Sequence, residues 1–291
     1  MISTINPLEE NKIPKIKFAF FGTPDRAVIV LDILKANNLL PSLIITQPDK
    51  PKGRKQILTP PDVKVWAEKE KIECLQPEDL NNLDFQEQFI EEKLDLAIVV
   101  AYGKIIPKNI LSLTKKGFLN LHGSILPKYR GSSPIETAIL KDDKDTGVSI
   151  ILMDEKMDHG PIISKATVAI DNWPPKASVL AKKIVSMGAE ILIDSLPKFL
   201  SGELKPEPQD HSLATYTKMI KKEDGQINLS DDPYQNFLKY QAYEAWPGTF
   251  FFKEENGKKT RMKITEAFYR NGDFIISKVV PEGKKEITYR N

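Results

Sequence analysis

Between residue 13 and about residue 200, short apolar runs alternate with helical patterns, and that alternation leaves few folds open. KIKFAFFG (15–22), PSLIITQ (41–47), LDLAIVVA (94–101), GFLNLHG (117–123) and TGVSIILM (146–153) are rich in Val, Ile and Phe, and several are apolar almost throughout. Such continuous runs fit strands buried on both faces of a parallel sheet. Helical patterns cover 24–37, 61–71, 77–94 and 132–142, several opening on proline, and a longer one after Pro175 puts Leu180, Ile184, Met187 and Ile191 on one face. The spacing predicts a doubly wound α/β sheet with right-handed crossovers. In such sheets ligands bind beyond the carboxyl ends of the strands, at a topological switch point. The first strand turns into its helix through FFGTPD, with one glycine where a dinucleotide fingerprint needs three, which disfavours NAD.

Around Leu204–Pro208 the character changes: GELKPEPQD is polar and proline-bearing, a linker pattern. A helical stretch near 233–244 and the β-like runs GTFFFKEE, TRMKITEAFY and GDFIISKVV follow. The runs are separated by NGKK and RNGD, and Asn-Gly between alternating runs predicts hairpins. With 291 residues and 41% hydrophobic composition, the chain can bury one large core or two. One cysteine, Cys74, excludes an intramolecular disulfide, and beside three histidines it gives no basis for a Cys/His zinc site. No run approaches 18 apolar residues and the amino terminus is polar, so a cytoplasmic protein without a membrane span is expected. The net charge of +2 is too small to indicate nucleic acid, but the distribution is uneven. Residues 47–64 hold five Lys and Arg against two Asp, and residues 253–291 hold ten Lys and Arg against six Asp and Glu.

The chemistry concentrates in NLHGSILPKYRG (120–131). The period of two in a strand puts Asn120 and His122 on one face, at its end. A carboxamide can donate to a developing oxyanion, and an imidazole can move a proton near neutral pH. A third group arrives in MDEKMDHGPI (153–162), where Asp158 in an Asp-His-Gly-Pro turn could orient the ring of His122. The plain structural alternatives are a satisfied polar pair and a turn aspartate, and residue chemistry alone does not decide between these and a catalytic set. His159 is expected to be a surface residue of that turn.

NLHGSILPKYRG followed by MDEKMDHGPI resembles the signature of the folate-dependent formyltransferases. FFGTPDRAVIVLD, TQPDKPKGRKQILTPPDVKVWA, VVAYGKIIP and TYTKMIKKEDGQINL resemble the methionyl-tRNA branch of that family, over about residues 15–250. The resemblance implies a Rossmann-like catalytic domain over 15–203, with a mostly parallel sheet. A small β-rich, tRNA-binding domain over 204–291 would follow, and residues 1–14 form an extension without assigned role. It implies 10-formyltetrahydrofolate as co-substrate, no metal, initiator methionyl-tRNA as partner, and a monomer. By the same resemblance Asn120, His122 and Asp158 are catalytic. Ser124, Ile125, Leu126 and Pro127 contact the folate, with Tyr102 and Gly103 on the pterin side. Arg54 and Lys55, with Lys50 and Lys52 in the same loop, read the acceptor end of the tRNA, while Lys128 and Arg130 hold its terminal nucleotides. Gly248 to Asn291 is shorter than the family's barrel, as though middle strands were missing. An amino sugar nucleotide as formyl acceptor is the alternative, for which the basic segments have no obvious use.

Overall fold

The protein is described by a computed structural model covering residues 16–53, 55–255 and 257–289; the 1–14 extension and Arg54 lie outside the described residues. In chain order the strands and helices of the first part are β1 (Phe18–Gly22), α1 (Asp25–Ala36), β2 (Leu43–Ile45), β3 (Lys50–Lys52), β4 (Ile57–Thr59), α2 (Asp62–Glu70), β5 (Glu73–Leu75), α3 (Leu83–Glu91), β6 (Leu96–Val100), α4 (Lys108–Leu111), β7 (Phe118–His122), α5 (Pro134–Leu140), β8 (Gly147–Leu152), β9 (Ile162–Thr167) and α6 (Ala177–Ser201). One sheet takes the order β5-β2-β1-β6-β7-β8-β9. Every residue of β1 and β6 is buried. The reason is the period of two: Phe18 and Phe20 join a core with α1, α2 and α6, while Ala19 and Phe21 join a second core with α3 and α4 on the opposite face.

The chain runs outward from β1 to β2 and β5, then returns to β6 on the other side, so the switch point falls between β1 and β6. There the carbonyl of Tyr102 accepts hydrogen bonds from Thr23 Oγ1 (2.8 Å) and Gln47 Nε2 (2.7 Å), tying the carboxyl ends of three strands together. β7 lies next to β6, and its carboxyl end opens on the same edge.

Three details depart from the sequence pattern. β8 pairs antiparallel with β7, and β9 antiparallel with β8. An apolar run is equally suited to either direction, since burial on both faces is what it encodes. β5 and β9 at the sheet edges, and the β3–β4 hairpin, escape the pattern because they are short or partly exposed. On α6, Leu180 and Ile184 are buried as expected, but the buried stripe continues through Gly188, Leu192 and Leu196, leaving Met187 and Ile191 half-buried. The helix closes on Gly202 with φ 81°, a left-handed cap.

Beyond α6 come α7 (Pro233–Ala242), β10 (Phe250–Glu255), β11 (Lys258–Arg270), β12 (Asp273–Pro281) and β13 (Ile287–Thr288). The strands form an antiparallel sheet in chain order, and no pairing of β10 with β13 closes it among the described residues. Asn271 and Gly272 turn between β11 and β12 with φ 53° and 91°, the double positive φ for which Asn-Gly hairpins are suited. Tyr240 of α7 packs in the core of this sheet, whereas Leu238, Ala242 and Tyr243 pack in the core under α6, so this stretch braces both sheets. Among the described residues no helix is long and apolar enough to cross a membrane.

Gly188 sets the distance between α6 and β7. A Cβ there would lie 2.5 Å from Leu121 Cδ1 and 2.8 Å from its Cγ. Gly188→Val is expected to destabilise the fold by about 1–3 kcal/mol through overpacking. A urea midpoint unchanged from the parent would refute this account of the packing.

Candidate active site

Asn120 and His122 lie at the carboxyl end of β7, and Asp158 reaches them from the loop after β8. His122 is 5% exposed. Its Nε2 lies 3.0 Å from the carbonyl oxygen of Tyr129, which can only accept, so Nε2 carries the hydrogen of that bond. Nδ1 is therefore the nitrogen left for proton exchange, and Asp158 Oδ1 lies 3.5 Å from it. The same Oδ1 is approached by Asn120 Nδ2 at 3.4 Å, and Oδ2 accepts the Gly131 amide at 2.7 Å. Two side chains of one strand face thus converge on one oxygen of a carboxylate whose other oxygen is fixed by backbone. The expected trio is brought together, but the strand end is closed around His122 rather than open.

The loop after β7 is held from two sides. Ser124 Oγ donates to the Lys128 carbonyl (2.6 Å), and Ser149 Oγ donates to the Ser124 carbonyl (2.8 Å) while accepting the Leu126 amide (3.0 Å). Ser124 and Leu126 point inward, whereas Ile125 and Pro127 are half-buried at the surface of the site. The Ile125 amide and the Leu126 carbonyl have no hydrogen-bond partner among the described residues. On the β6 side, Gly103 has φ 81°. Tyr102 instead buries its ring against Phe21 at 5.3 Å, edge to face. Burial pushes its phenol up to about 12, and its hydroxyl is buried without a partner among the described residues. What Tyr102 brings to the strand ends is its backbone carbonyl.

The expected surface cations divide in the structure. Lys50, Lys52 and Lys55 are exposed on or beside the β3–β4 hairpin, an ordered ribbon rather than an irregular loop. Lys50 Nζ donates to Gln47 Oε1 (2.5 Å). Lys64, counted with this basic segment, belongs to α2 and pairs with Asp49 at 3.0 Å; Gln76 and then Lys64 hold that carboxyl below its ordinary range. Lys128 is exposed, with Asp143 Oδ2 at 3.4 Å. Arg130 requires a correction: it is not a surface side chain but is 1% exposed. Its Nε and one terminal nitrogen donate to Gln209 Oε1 (3.3 and 2.6 Å), and that same terminal nitrogen lies 2.8 Å from His211 Nδ1. Desolvation, then His159 and Arg130 nearby, hold the His211 imidazole below its ordinary range, which suits it as a neutral acceptor. His159 stacks on His211 with ring centroids 3.9 Å apart and binds Asp154 through Nδ1 at 2.6 Å, so it is half-buried rather than a free turn residue.

Several groups at the site were not foreseeable from local sequence. Gln209 sits in a polar stretch that reads as a solvated linker, yet it is 6% exposed. Thr215 accepts the Tyr129 amide with Oγ1 (2.8 Å) and the Arg130 amide with its carbonyl (2.8 Å), and the Thr217 amide returns to the Arg130 carbonyl (2.7 Å). The stretch following α6 is thus joined to the loop by a parallel bridge between Tyr216 and Arg130, a pairing between segments more than 80 residues apart.

The formyl transferase family model matches residues 15–196. The methionyl-tRNA formyltransferase of Chloroflexus aurantiacus is 41% identical over 239 residues, covering 81% of this chain and 76% of that protein. Among solved structures, the methionyl-tRNA formyltransferase of Clostridium thermocellum superposes with a TM-score of 0.61 at 18% identity, covering 94% of this chain and 100% of that one. An N-formyltransferase of Helicobacter canadensis in complex with folinic acid and dTDP-3-aminofucose superposes with a TM-score of 0.63 at 19% identity, covering 95% of this chain and 100% of that one. The structural likenesses carry the fold, and the sequence matches carry the family: the chain belongs to the methionyl-tRNA formyltransferases.

Proposed function

We propose that the protein formylates the α-amine of methionyl initiator tRNA through Asn120, His122 and Asp158, with 10-formyltetrahydrofolate as the formyl donor. The observation that carries this is the convergence of Asn120 Nδ2 and His122 Nδ1 on Asp158 Oδ1, at the carboxyl edge of the sheet, in a chain of this family. The donor supplies a formyl carbon activated by its bond to N10. Asn120 has an amide N–H to offer to the formyl oxygen as charge gathers there, and a donor of this kind is worth about 3 kcal/mol in other enzymes. His122 takes a proton from the attacking amine at Nδ1 and returns it to the leaving nitrogen, since Nε2 is committed to Tyr129. Asp158 orients the ring during both transfers.

The donor fits the wall formed by residues 124–127. Ile125 and Pro127 offer partly exposed apolar surface, and the Ile125 amide and Leu126 carbonyl offer one donor and one acceptor without partners among the described residues. A pterin edge presents the complementary alternation. Folinic acid in the Helicobacter enzyme supports the same class of ligand here. On the tRNA side, we assign the exposed Lys50, Lys52 and Lys55, and Arg54 of the same sequence segment, to the acceptor arm, and the exposed Lys128 to the terminal nucleotides. We assign the catalytic part to residues 15–203, a tRNA-binding part to 204–291, and a cytoplasmic location.

Because His122 is buried and hydrogen-bonded, His122→Asn is the informative change, keeping a donor for Tyr129. It is expected to lower turnover by about 10²–10⁴-fold with the fold retained. Single-turnover formylation of methionyl-tRNA measures this, and near-parental turnover would remove His122 from the mechanism. A folate analogue at about 100 times its Kd should stabilise the native state by about 2.7 kcal/mol, read as a higher melting temperature, and NAD should not. Replacing Lys50, Lys52, Arg54 and Lys55 together with serine should lower the slope of log K against log salt for tRNA by about 0.7–0.9 for each phosphate no longer neutralised. An unchanged slope would place recognition elsewhere.

A further inference from the structure

Arg130 is the largest of the fully buried side chains, and it makes no ion pair among the described residues. A guanidinium out of water without a carboxylate is costly, and here the partners are neutral: the Gln209 amide, His211 Nδ1 at 2.8 Å and the Tyr216 hydroxyl at 3.4 Å. Gln209 Oε1 takes two of its N–H groups, while Gln209 Nε2 donates to the carbonyls of Asp158 (2.9 Å) and Gly160 (2.7 Å). An amide polarised by a cation at its oxygen is a stronger donor at its nitrogen. The carbonyls it holds belong to the turn that carries Asp158, whose φ of 49° is unusual for a residue with a side chain. The residues on either side of Arg130 close the circuit: Tyr129 O faces His122, and the Gly131 amide binds Asp158 Oδ2.

We propose that Arg130 and Gln209 are positioning residues, a buried latch through which the stretch after α6 clamps the Asp158 turn and sets the carboxylate against His122 and Asn120. The latch rests on the catalytic assignment of Asp158 made above. Neither side chain touches the reacting atoms. Arg130 thereby takes a structural part in place of holding terminal nucleotides.

Gln209→Glu divides the latch cleanly. A carboxylate keeps and strengthens the bonds to Arg130, so the fold should survive, but it has no N–H for the two carbonyls and repels them. Turnover of methionyl-tRNA formylation should fall by about 10²-fold, the loss expected of a misplaced catalytic group, with KM for both substrates little changed and the melting temperature retained. Arg130→Lys, which cannot fork onto Gln209 Oε1, should show the same split between kcat and KM. The decisive measurement adds Gln209→Glu to Asp158→Asn: residues acting through one group are non-additive, so the double variant should turn over no more slowly than Asp158→Asn alone. Parental kcat in Gln209→Glu beside a disabled Asp158→Asn overturns the latch alone, as does a full second loss in the double variant. Near-parental kcat in Asp158→Asn overturns the catalytic assignment and the latch with it. Should Gln209→Glu fail to fold, Gln209→Asn, one methylene too short to span both ends, is judged by the same outcomes.

Discussion

Asp158 follows β8 yet has to present its carboxylate to side chains of β7, from a turn whose backbone is left-handed at that residue. Such a conformation costs about 1 kcal/mol or more for a residue with a Cβ, and it persists only where surrounding groups over-determine it. Here they do. Gly160, two residues on, lies so close to β8 that a Cβ would fall 1.8 Å from the Leu152 carbonyl oxygen, which pins the turn against the sheet. The Gly131 amide holds the carboxylate, and Gln209 holds the carbonyls on either side of His159. Asn120 and His122 are placed by the sheet, but what they converge on is placed by this set of contacts.

The consequence is that the cluster of Asn120, His122 and Asp158 is held in part by the stretch that follows α6. Glu207 exchanges two backbone hydrogen bonds of 2.8 Å with Ile162, Gln209 reaches the Asp158 turn, and residues 215–217 run beside residues 129–131. A segment that connects two sheets is thereby also a wall of the site. The bracing of both cores by α7 and the residue after it works in the same direction, keeping the second sheet in fixed relation to the first. The second sheet is thereby tied to the cluster of Asn120, His122 and Asp158 through packing and through the connecting segment.

Charge shows the same contrast between totals and placement. A net charge of +2 says little about a nucleic-acid partner. Its arrangement says more: the hairpin lysines are exposed, whereas Lys64 is neutralised by Asp49 and Arg130 is withdrawn into the interior. Cations of similar standing in the sequence thus take three different electrostatic roles.

The central strands were legible because burial on both faces demands continuous apolar runs, and β1, β6 and β7 lie where KIKFAFFG, LDLAIVVA and GFLNLHG predict. The shared face of Asn120 and His122 follows from the period of two, and the Asn-Gly turn from the positive φ that pair tolerates. Strand direction at β8 was not legible, because an apolar run carries no sign, and the edge strands β5 and β9 carry too little burial to mark them. Nor could the sequence distinguish Arg130 from Lys128, two cations in one loop. Local composition reports what a segment can bury, so it determined the sheet, the face shared by Asn120 and His122, and the turn chemistry. Which polar groups become buried depends on partners far along the chain, here Gln209 and His211, and only the tertiary structure brings those partners within hydrogen-bond range.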